Sequence, residues 1–233
     1  EAIKKLKNYR KKFPVGSDFI LGVNIGPNKD SNDRFNDYEI LSKNLSEFAD
    51  YLTINISSPN TPNLRDFHQT NNLKKVLISV KNGIAKSKSL DLQLPIFLKI
   101  APDISENDLK QIIETANENN ISGLIISNTT VDRNKELQSD NLHETGGLSG
   151  RPLFNKSTNF LALASKIIKI KKYNLYLIAA GGVSDSKSAY AKILCGAHLV
   201  QLYSSMTFDG PLIAENILKG FLQLMNRDKI SSI

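Results

Sequence analysis

The sequence predicts an α/β fold in which helices flank a parallel sheet. Six short apolar segments of strand length alternate with segments whose apolar residues recur at helical spacing. Polar residues interrupt the apolar segments near their carboxyl ends, where barrels and open α/β sheets bind ligands. A closed TIM (β/α)₈ barrel needs eight such units and about 250 residues. The count of six units therefore leaves two alternatives, an open sheet or a barrel with two units outside this chain.

Strands are predicted where short runs rich in β-branched and aromatic residues end in Gly, Pro, Asn or other turn-forming residues. In chain order these strands cover residues 19–25, 51–56, 95–100, 123–127, 175–180 and 198–203. Their largely continuous apolar character is typical of parallel strands, which are buried on both faces. A long polar loop is predicted after the fourth strand, over residues 131–150.

Helices are predicted where apolar residues share one helical face. In chain order they cover residues 4–12, 34–48, 71–84, a segment after Ser105, 157–170, a segment from Ser184 or Asp185 to Leu194, and a last helix that starts at Pro211. Ser105 and Asp108 have the spacing of a capping box, with Ile104 and Leu109 placed as a hydrophobic staple. Gly196 lies just beyond the end of the sixth helix, where glycine is favoured.

Composition fits one domain spanning residues 1–233, because 40% of the 233 residues are hydrophobic. The single cysteine, Cys195, excludes an internal disulfide framework and favours a reducing compartment. No apolar run reaches the roughly 20 residues of a membrane span, and the first residues lack the apolar segment of a secretory signal.

The formal net charge is +7, from 30 basic and 23 acidic residues. Basic stretches at residues 4–12 and 166–172 also carry apolar residues at helical spacing, so we interpret them as solvated helix faces. Attraction to anionic lipid or to an acidic ligand is the alternative. Nucleic-acid binding is not expected, because no aromatic residues are interleaved with the basic ones.

Polar residues interrupt the predicted strands near their carboxyl ends, and this placement predicts a ligand site. The interruptions are Asn24, Asn55, Lys99, Asn128 and Gln201. Lys99 is notable because burying a lysine whose charge has no partner costs several kcal/mol. A cation there suits an electron-accepting ring, on which negative charge develops. The alternative is a lysine that extends from the strand end to water.

Two turns near the end of the chain predict a phosphate site. Gly181 and Gly182 precede a capped helix, so a ligand can approach the backbone closely and meet free helical N–H groups. Tyr203 and Ser204 follow the next strand and would form a second wall. Barrels usually bind phosphate with the loops after their last two strands.

The segment YLTINISSPNTPNLR at residues 51–65 predicts a strand that ends in a rigid polar loop. Its two prolines restrict the backbone and hold Ser58 in a fixed position. A serine hydroxyl is a poor base, so proton transfer would need desolvation and a relay through water or Thr61. The three histidines, His68, His143 and His198, are interpreted as structural or solvated. No Cys/His set has metal-ligand spacing, so no metal site is expected.

Seven segments in unbroken order resemble dihydroorotate dehydrogenase, and within that family the quinone-linked class 2 branch. The matching segments are GVNIG at 22–26, NISSPNTPNLR at 55–65, LKIAPD at 98–103, SNTT at 127–130, ETGGLSGRPL at 144–153, AAGGV at 179–183 and GAHLVQLYSSM at 196–206. The resemblance implies a flavoprotein oxidoreductase of pyrimidine biosynthesis. Such a (β/α)₈ barrel would hold FMN and orotate at its mouth, with about six of its eight units in this chain. Ser58 lies where class 2 members have the catalytic serine and class 1 members a cysteine.

The resemblance also implies a role for each matching residue. The positions that match FMN contacts are Asn24, Asn55, Lys99, Ser127, Gly150, Gly181, Gly182, Tyr203 and Ser204. The positions that match dihydroorotate or orotate contacts are Asn55, Asn60, Asn128 and Thr129. Side-chain amides suit this substrate, because its ring imide and carboxylate need both donors and acceptors. In the implied reaction, Ser58 removes a ring proton, a hydride passes to the flavin, and a quinone then accepts the electrons.

The resemblance further implies segments outside this chain. These are two barrel strands with a Gly-rich flavin segment and a substrate lysine, a substrate loop, and a helical pair that contacts the inner membrane of a bacterium or mitochondrion peripherally. A short stretch after residue 233 is also expected. We expect the 233 residues alone to retain FMN poorly. The alternatives are another FMN barrel oxidoreductase (a class 1 enzyme, or a dihydropyrimidine or dihydrouridine reductase) and a non-catalytic barrel that binds a phosphate ligand.

Overall fold

Six parallel strands pair in chain order into one sheet in the computed structural model, which describes residues 1–87, 93–133, 137–138 and 140–232. The strands are β1 (Gly22–Ile25), β2 (Tyr51–Asn55), β3 (Ile96–Ile100), β4 (Gly123–Ile126), β5 (Tyr176–Ala180) and β6 (Leu199–Gln201). The order β1-β2-β3-β4-β5-β6 leaves β1 and β6 as the edges of a curled half-barrel. This architecture confirms the predicted α/β fold and is consistent with part of a (β/α)₈ barrel.

Eight helices accompany the sheet in the described part of the chain. They are α1 (Ala2–Lys12), α2 (Arg34–Leu45), α3 (Thr70–Ala85), α4 (Glu106–Glu118), α5 (Phe154–Lys171), α6 (Ser186–Leu194), α7 (Ser204–Asp209) and α8 (Ile213–Arg227). Short 3₁₀ turns occupy Ser46–Phe48, Leu64–His68 and Arg151–Leu153. Each β-strand from β1 to β5 is thus followed by a helix of nine or more residues, which is the repeat that the sequence predicts.

The main core lies between the convex face of the sheet and the helices. Strand residues that alternate along β1 to β5 point into it, including Ile25, Ile54, Leu98, Leu124 and Leu177. Their alternate neighbours point to the concave face, where Ile125, Ile178 and Ala180 form a smaller buried cluster with Phe97. Because side chains in a strand alternate between two faces, the polar strand residues predicted as ligand contacts also reach this concave face.

Helix starts are fixed by side-chain caps as predicted in two cases. Ser105 and Asp108 form the predicted capping box of α4. Asp185 caps α6 by accepting from the backbone N–H of Ser188, so the choice between Ser184 and Asp185 is settled for Asp185. Asp33 caps α2 in the same manner. These caps satisfy N–H groups that a helix leaves without internal partners.

Several predicted boundaries are wrong. The first strand begins at Gly22 rather than at residue 19, and Phe19 and Ile20 are 57% and 72% exposed. The last helix begins at Ile213, so Pro211 lies in the turn before it, and α7 was not predicted. The errors in the starts of β1 and of the last helix arise because an apolar side chain or a proline marks an element locally, whereas strand pairing and helix docking depend on the rest of the fold.

The predicted loop at residues 131–150 is closed at its base by an antiparallel bridge between Thr130 and Leu148. Residues 134–136 and 139 of that loop lie outside the described residues. In the described part of the chain, no helix combines the length and the apolar character needed to cross a bilayer.

Candidate functional site

A polar cavity of about 650 Å³ opens at the carboxyl ends of the strands. It brings together ten of the residues predicted as ligand contacts: Asn24, Lys99, Ser127, Asn128, Thr129, Gly150, Gly181, Gly182, Tyr203 and Ser204. Three others, Asn55, Ser58 and Asn60, are not part of its lining. A separate cavity of about 930 Å³ lies towards the amino-terminal ends of the strands and is largely apolar. The polar cavity is therefore the candidate site.

Lys99 extends from β3 into this cavity. Its Cα pairs with that of Asn55 on β2 and with that of Ile125 on β4. The side chain is half-buried, and within the described residues its ammonium has no hydrogen bond or ion pair. Desolvation by burial lowers the pKa of Lys99. A half-buried cation that has no partner in the described part of the chain favours a ligand that is anionic or becomes more negative during a reaction.

The turn after β5 has a conformation that only glycine adopts readily. Gly181 has φ +101° and Gly182 has φ +78°. A Cβ added at Gly182 would lie 2.4 Å from the Cα of Phe154 and 2.6 Å from its backbone nitrogen. The sequence predicted glycine here for approach to a ligand. The structure adds a second reason, because the turn packs directly against the start of α5.

The opposite wall of the cavity is formed by the start of α7. Ser204 Oγ donates a hydrogen bond to Ser149 Oγ at 2.9 Å, which joins α7 to the segment before Gly150. Tyr203 is 87% exposed and lies at the cavity rim. Backbone turns and hydroxyl groups thus surround this side of the cavity, as the sequence predicts for a phosphate site.

Ser57 connects β2 to β4 and was missed at the sequence level. Its hydroxyl donates to Asn55 Oδ1 at 2.7 Å and accepts from Asn128 Nδ2 at 2.9 Å. Ser57 is fully buried. Two amide side chains predicted to contact ligands are therefore held by one hydroxyl. The motif contains two adjacent serines, Ser57 and Ser58. The sequence does not show which of their side chains faces the core, so the role of Ser57 could not be predicted.

Ser58 is half-buried, and its hydroxyl accepts a hydrogen bond from the backbone N–H of Asn60 at 3.3 Å. Thr61, which was considered together with water as a relay partner, makes no hydrogen bond with Ser58 in the structure. The short turn between Ser58 and Asn60 satisfies the hydroxyl locally instead. The Ser58 side chain is held by its own loop.

The histidines are not partners of Ser58. His68 is buried, with its Nδ1 placed 2.8 Å from Arg65 O and its Nε2 accepting from the N–H of Ala101 at 3.4 Å. Burial lowers the pKa of His68 to about 4. His198 Nδ1 accepts from Leu177 N–H at 3.0 Å, and His143 is exposed. These positions agree with the structural or solvated roles predicted for them.

An ionic cluster supports the Ser58 loop from behind and was also missed. Arg65 donates to Ser57 O at 3.3 Å, to Thr129 O at 3.2 Å and to Asp103 at 2.9 Å. Asp103 also accepts from Lys156 at 2.5 Å and from Thr130. Burial alone would raise the pKa of Asp103, but hydrogen bonds from Lys156, Thr130 and the Val131 N–H lower it. The cluster therefore ties the loops after β2, β3 and β4 together.

The segment TGG at residues 145–147 covers the same loops. A Cβ added at Gly147 would lie 1.9 Å from Thr129 Oγ1 and 3.1 Å from Pro59 Cγ. One added at Gly146 would lie 3.5 Å from Asn60 Oδ1. Asn60 and Thr129, both predicted to hold the substrate, thus lie under one glycine-containing segment.

The fold and the cavity define a protein of the (β/α)-barrel class with a site for a polar ligand at the carboxyl ends of its strands. The family model for dihydroorotate dehydrogenase matches residues 1–225. The chain belongs to the dihydroorotate dehydrogenase family. The resemblance recognised in the seven sequence segments is therefore confirmed.

Curated relatives carry the name dihydroorotate dehydrogenase (quinone). The protein from Bartonella tribocorum is 44% identical over 215 residues, covering 92% of this chain and 59% of the relative. The protein from Parvibaculum lavamentivorans is 43% identical over 227 residues, covering 97% of this chain and 62% of the relative. The chain thus spans about three fifths of the length of these relatives.

Solved structures of dihydroorotate dehydrogenase from Eimeria tenella have the same fold. The complex with ferulenol superposes with a TM-score of 0.86 at 33% identity, covering 98% of this chain and 64% of that chain. The ligand-free form gives a TM-score of 0.87 at 34% identity, covering 98% and 66% respectively.

Proposed function

We propose that this chain provides the flavin- and substrate-binding part of a quinone-dependent dihydroorotate dehydrogenase. The reaction oxidises dihydroorotate to orotate in pyrimidine biosynthesis, and a quinone is the final electron acceptor. One observation carries the proposal: within a chain of this family, one polar cavity contains Lys99, which has no partner among the described residues, together with the Gly181–Gly182 turn and the Asn128–Thr129 pair.

The residues present fit FMN. Gly150, Gly181, Gly182 and Ser204 would hold the phosphate, because this wall of the cavity is built from backbone turns and a hydroxyl group. Lys99 would lie beside the isoalloxazine ring, since its ammonium lacks any partner among the described residues. Asn24 and Ser127 complete that side of the cavity. When bound, FMN supplies a hydride acceptor, and the fixed charge of Lys99 stabilises negative charge on such an acceptor.

The substrate would lie towards the Ser58 loop. Asn128 is oriented by Ser57, and Thr129 is fixed through its carbonyl by Arg65, so both reach this region in defined positions. Asn60 approaches from the opposite loop, beneath the segment 145–147. Asn55, whose side-chain oxygen is occupied by Ser57, has its side-chain NH₂ available for the ligand.

Ser58 is the proposed base. Its hydroxyl would take the substrate's ring proton while it passes its own proton to a water molecule at the loop, because a neutral hydroxyl acts as a base only when a second group accepts its proton. In the structure the hydroxyl accepts a 3.3 Å hydrogen bond from the Asn60 N–H, which leaves its own proton available for that transfer.

Quinone reduction points to a membrane, since quinones of this kind are dissolved in lipid. We propose a peripheral location on an inner membrane, bacterial or mitochondrial, through contacts made by a segment outside the described residues. No role for nucleic acid or a metal is included in this proposal.

The test measures flavin reduction by dihydroorotate in the complete gene product. Ser58→Ala should slow this step by about 10²–10⁴-fold, the usual contribution of a positioned base. FMN content should stay at the wild-type level, because Ser58 does not line the cavity. Ser58→Cys is the matched variant and should restore part of the rate with an altered pH dependence. Near-normal flavin reduction in Ser58→Ala would point to a different base, whereas a wild-type protein whose flavin dihydroorotate does not reduce would support the non-catalytic phosphate-binding barrel.

A further inference from the structure

Lys192 is a buried lysine of α6 that the proposed function leaves unexplained. Its side chain is 0% exposed. The ammonium donates a hydrogen bond to Ser157 Oγ at 2.6 Å and lies 5.1 Å from the centroid of the Phe154 ring. No carboxylate of the described residues pairs with it. Burial lowers the pKa of Lys192 to about 8, so the side chain is largely protonated at neutral pH.

A buried ammonium without a counterion is unfavourable, and replacement by an apolar residue of similar volume is often neutral or stabilising. The described residues offer Lys192 one hydroxyl and one aromatic face, and an electrostatic interaction with Cys195 raises the pKa of Lys192 by less than burial lowers it. Because the described residues offer Lys192 no carboxylate, a bound anion near the Gly181–Gly182 turn is a candidate for the compensating negative charge.

The hydrogen bonds of Lys192 lead to the glycine turn. Ser157 Oγ lies 2.9 Å from Gly181 O and 3.1 Å from Phe154 O. Because the hydroxyl accepts from Lys192, its single proton is available to one of these carbonyls. Gly181 lines the polar cavity, whereas Ser157 and Lys192 do not. The ammonium is thus separated from the cavity by one hydroxyl and one peptide group.

We propose that Lys192 is a positioning residue that stabilises the ligand phosphate from behind the Gly181–Gly182 turn, through Ser157 and the intervening peptide. A hydrogen bond to the Gly181 carbonyl polarises that peptide, so the Gly182 N–H of the same peptide group becomes a stronger hydrogen-bond donor. The fixed positive charge adds a direct attraction across a poorly solvated region. The start of α5 contributes in the same sense, because its positive end packs against Gly182.

This inference rests on the proposed function, in which the anion at the turn is the phosphate of FMN. Its test compares FMN with riboflavin, which has the same ring and lacks the phosphate. The apoprotein of the complete gene product is titrated with each flavin, and binding is followed by the change in flavin fluorescence. Lys192→Met should weaken FMN binding about tenfold or more, by analogy with a charge interaction across a protein interior. Riboflavin binding should be unchanged.

Lys187→Met is the matched control, since Lys187 lies on the same helix and is exposed. It removes the same charge from a solvated position and should leave both affinities unchanged. Ser157→Ala is a second variant that breaks the hydrogen-bonded link while retaining the charge. It should weaken FMN binding by less than Lys192→Met does, again with no effect on riboflavin.

Thermal unfolding of the apoprotein separates a ligand-directed role from a structural one. Lys192→Met should unfold at the same temperature as the wild type or a higher one, because an uncompensated buried charge has been removed. Equal losses of affinity for FMN and riboflavin, or no loss for FMN, would overturn the inference while leaving the proposed function in place. A wild-type protein that binds neither flavin would overturn both.

Discussion

The two sides of the cavity are built by different means. The side formed by the loops after β5 and β6 consists of backbone turns, with glycines at positive φ and few charges. The Ser58 side is held by side chains, in which Asn55, Ser57 and Asn128 form a hydrogen-bonded chain and Arg65 and Asp103 an ionic one. In the proposed function, the backbone turns would fix a phosphate-type ligand by shape, whereas the side-chain network would set the positions of groups around a substrate.

The largest effect is expected on the backbone side. Gly182→Ala places a Cβ 2.4 Å from the Cα of Phe154 at a residue whose φ is +78°. Strain and overpacking together should lower the free energy of unfolding by about 4 kcal/mol and abolish flavin retention. Gly16 has the same φ of +78° with nothing within 4 Å of an added Cβ. Gly16→Ala should therefore cost only about 1 kcal/mol in the same denaturant titration.

The ionic cluster on the Ser58 side is the next most sensitive feature. Asp103→Asn leaves Arg65 and Lys156 without their shared carboxylate, whose side chain is 10% exposed. Unfolding free energy should fall by about 3 kcal/mol, as expected when one partner of a buried ion pair is removed. Orotate affinity should fall more than FMN affinity. Glu106→Gln, which removes an exposed ion pair with Lys110, is the control and should change neither ligand affinity.

Acid should destabilise the Ser58 side through His68. Because the pKa of His68 is lowered to about 4 in the folded state, below the ordinary 6.5, the unfolded chain binds more protons between these values. The stabilisation is complete above pH 6.5 and is lost as the pH falls towards 4, by roughly 3 kcal/mol. Urea titrations across this range should show that slope, and His68→Asn should remove most of it. His143→Asn, at an exposed site, should leave the slope intact.

The smallest effect is expected for Ser57→Ala. The substitution removes the hydroxyl that joins Asn55 to Asn128 and should lower the unfolding free energy by about 1 kcal/mol. Flavin reduction by dihydroorotate should slow while FMN content is retained, because the two amides lose their shared orientation. If FMN content fell in parallel with the rate, the two sides of the cavity would not be separable.

The same contrast explains how much the sequence could predict. The succession of strands and helices, the cap at Ser105 and the glycine turn were predictable, because each depends on short-range patterns that leave a mark in the sequence. The shorter β1 and the later start of α8 were not, because pairing and docking decide them. Ser57 depends on Asn128, 71 residues away, and Asp103 depends on Arg65, 38 residues away. Lys192 depends on Ser157, 35 residues away, and no local pattern in the sequence reveals these partners.

The pairing of each strand with the next along the chain has a consequence for assembly. Contacts within the sheet join neighbours in sequence, so each βα unit can dock onto the one before it as the chain grows, without waiting for distant partners. The polar cavity is different, because it takes Asn24 from β1 and Tyr203 from beyond β6. Its walls meet only when β1 to β6 are all in place, so ligand capture would follow the docking of β6 and would report it.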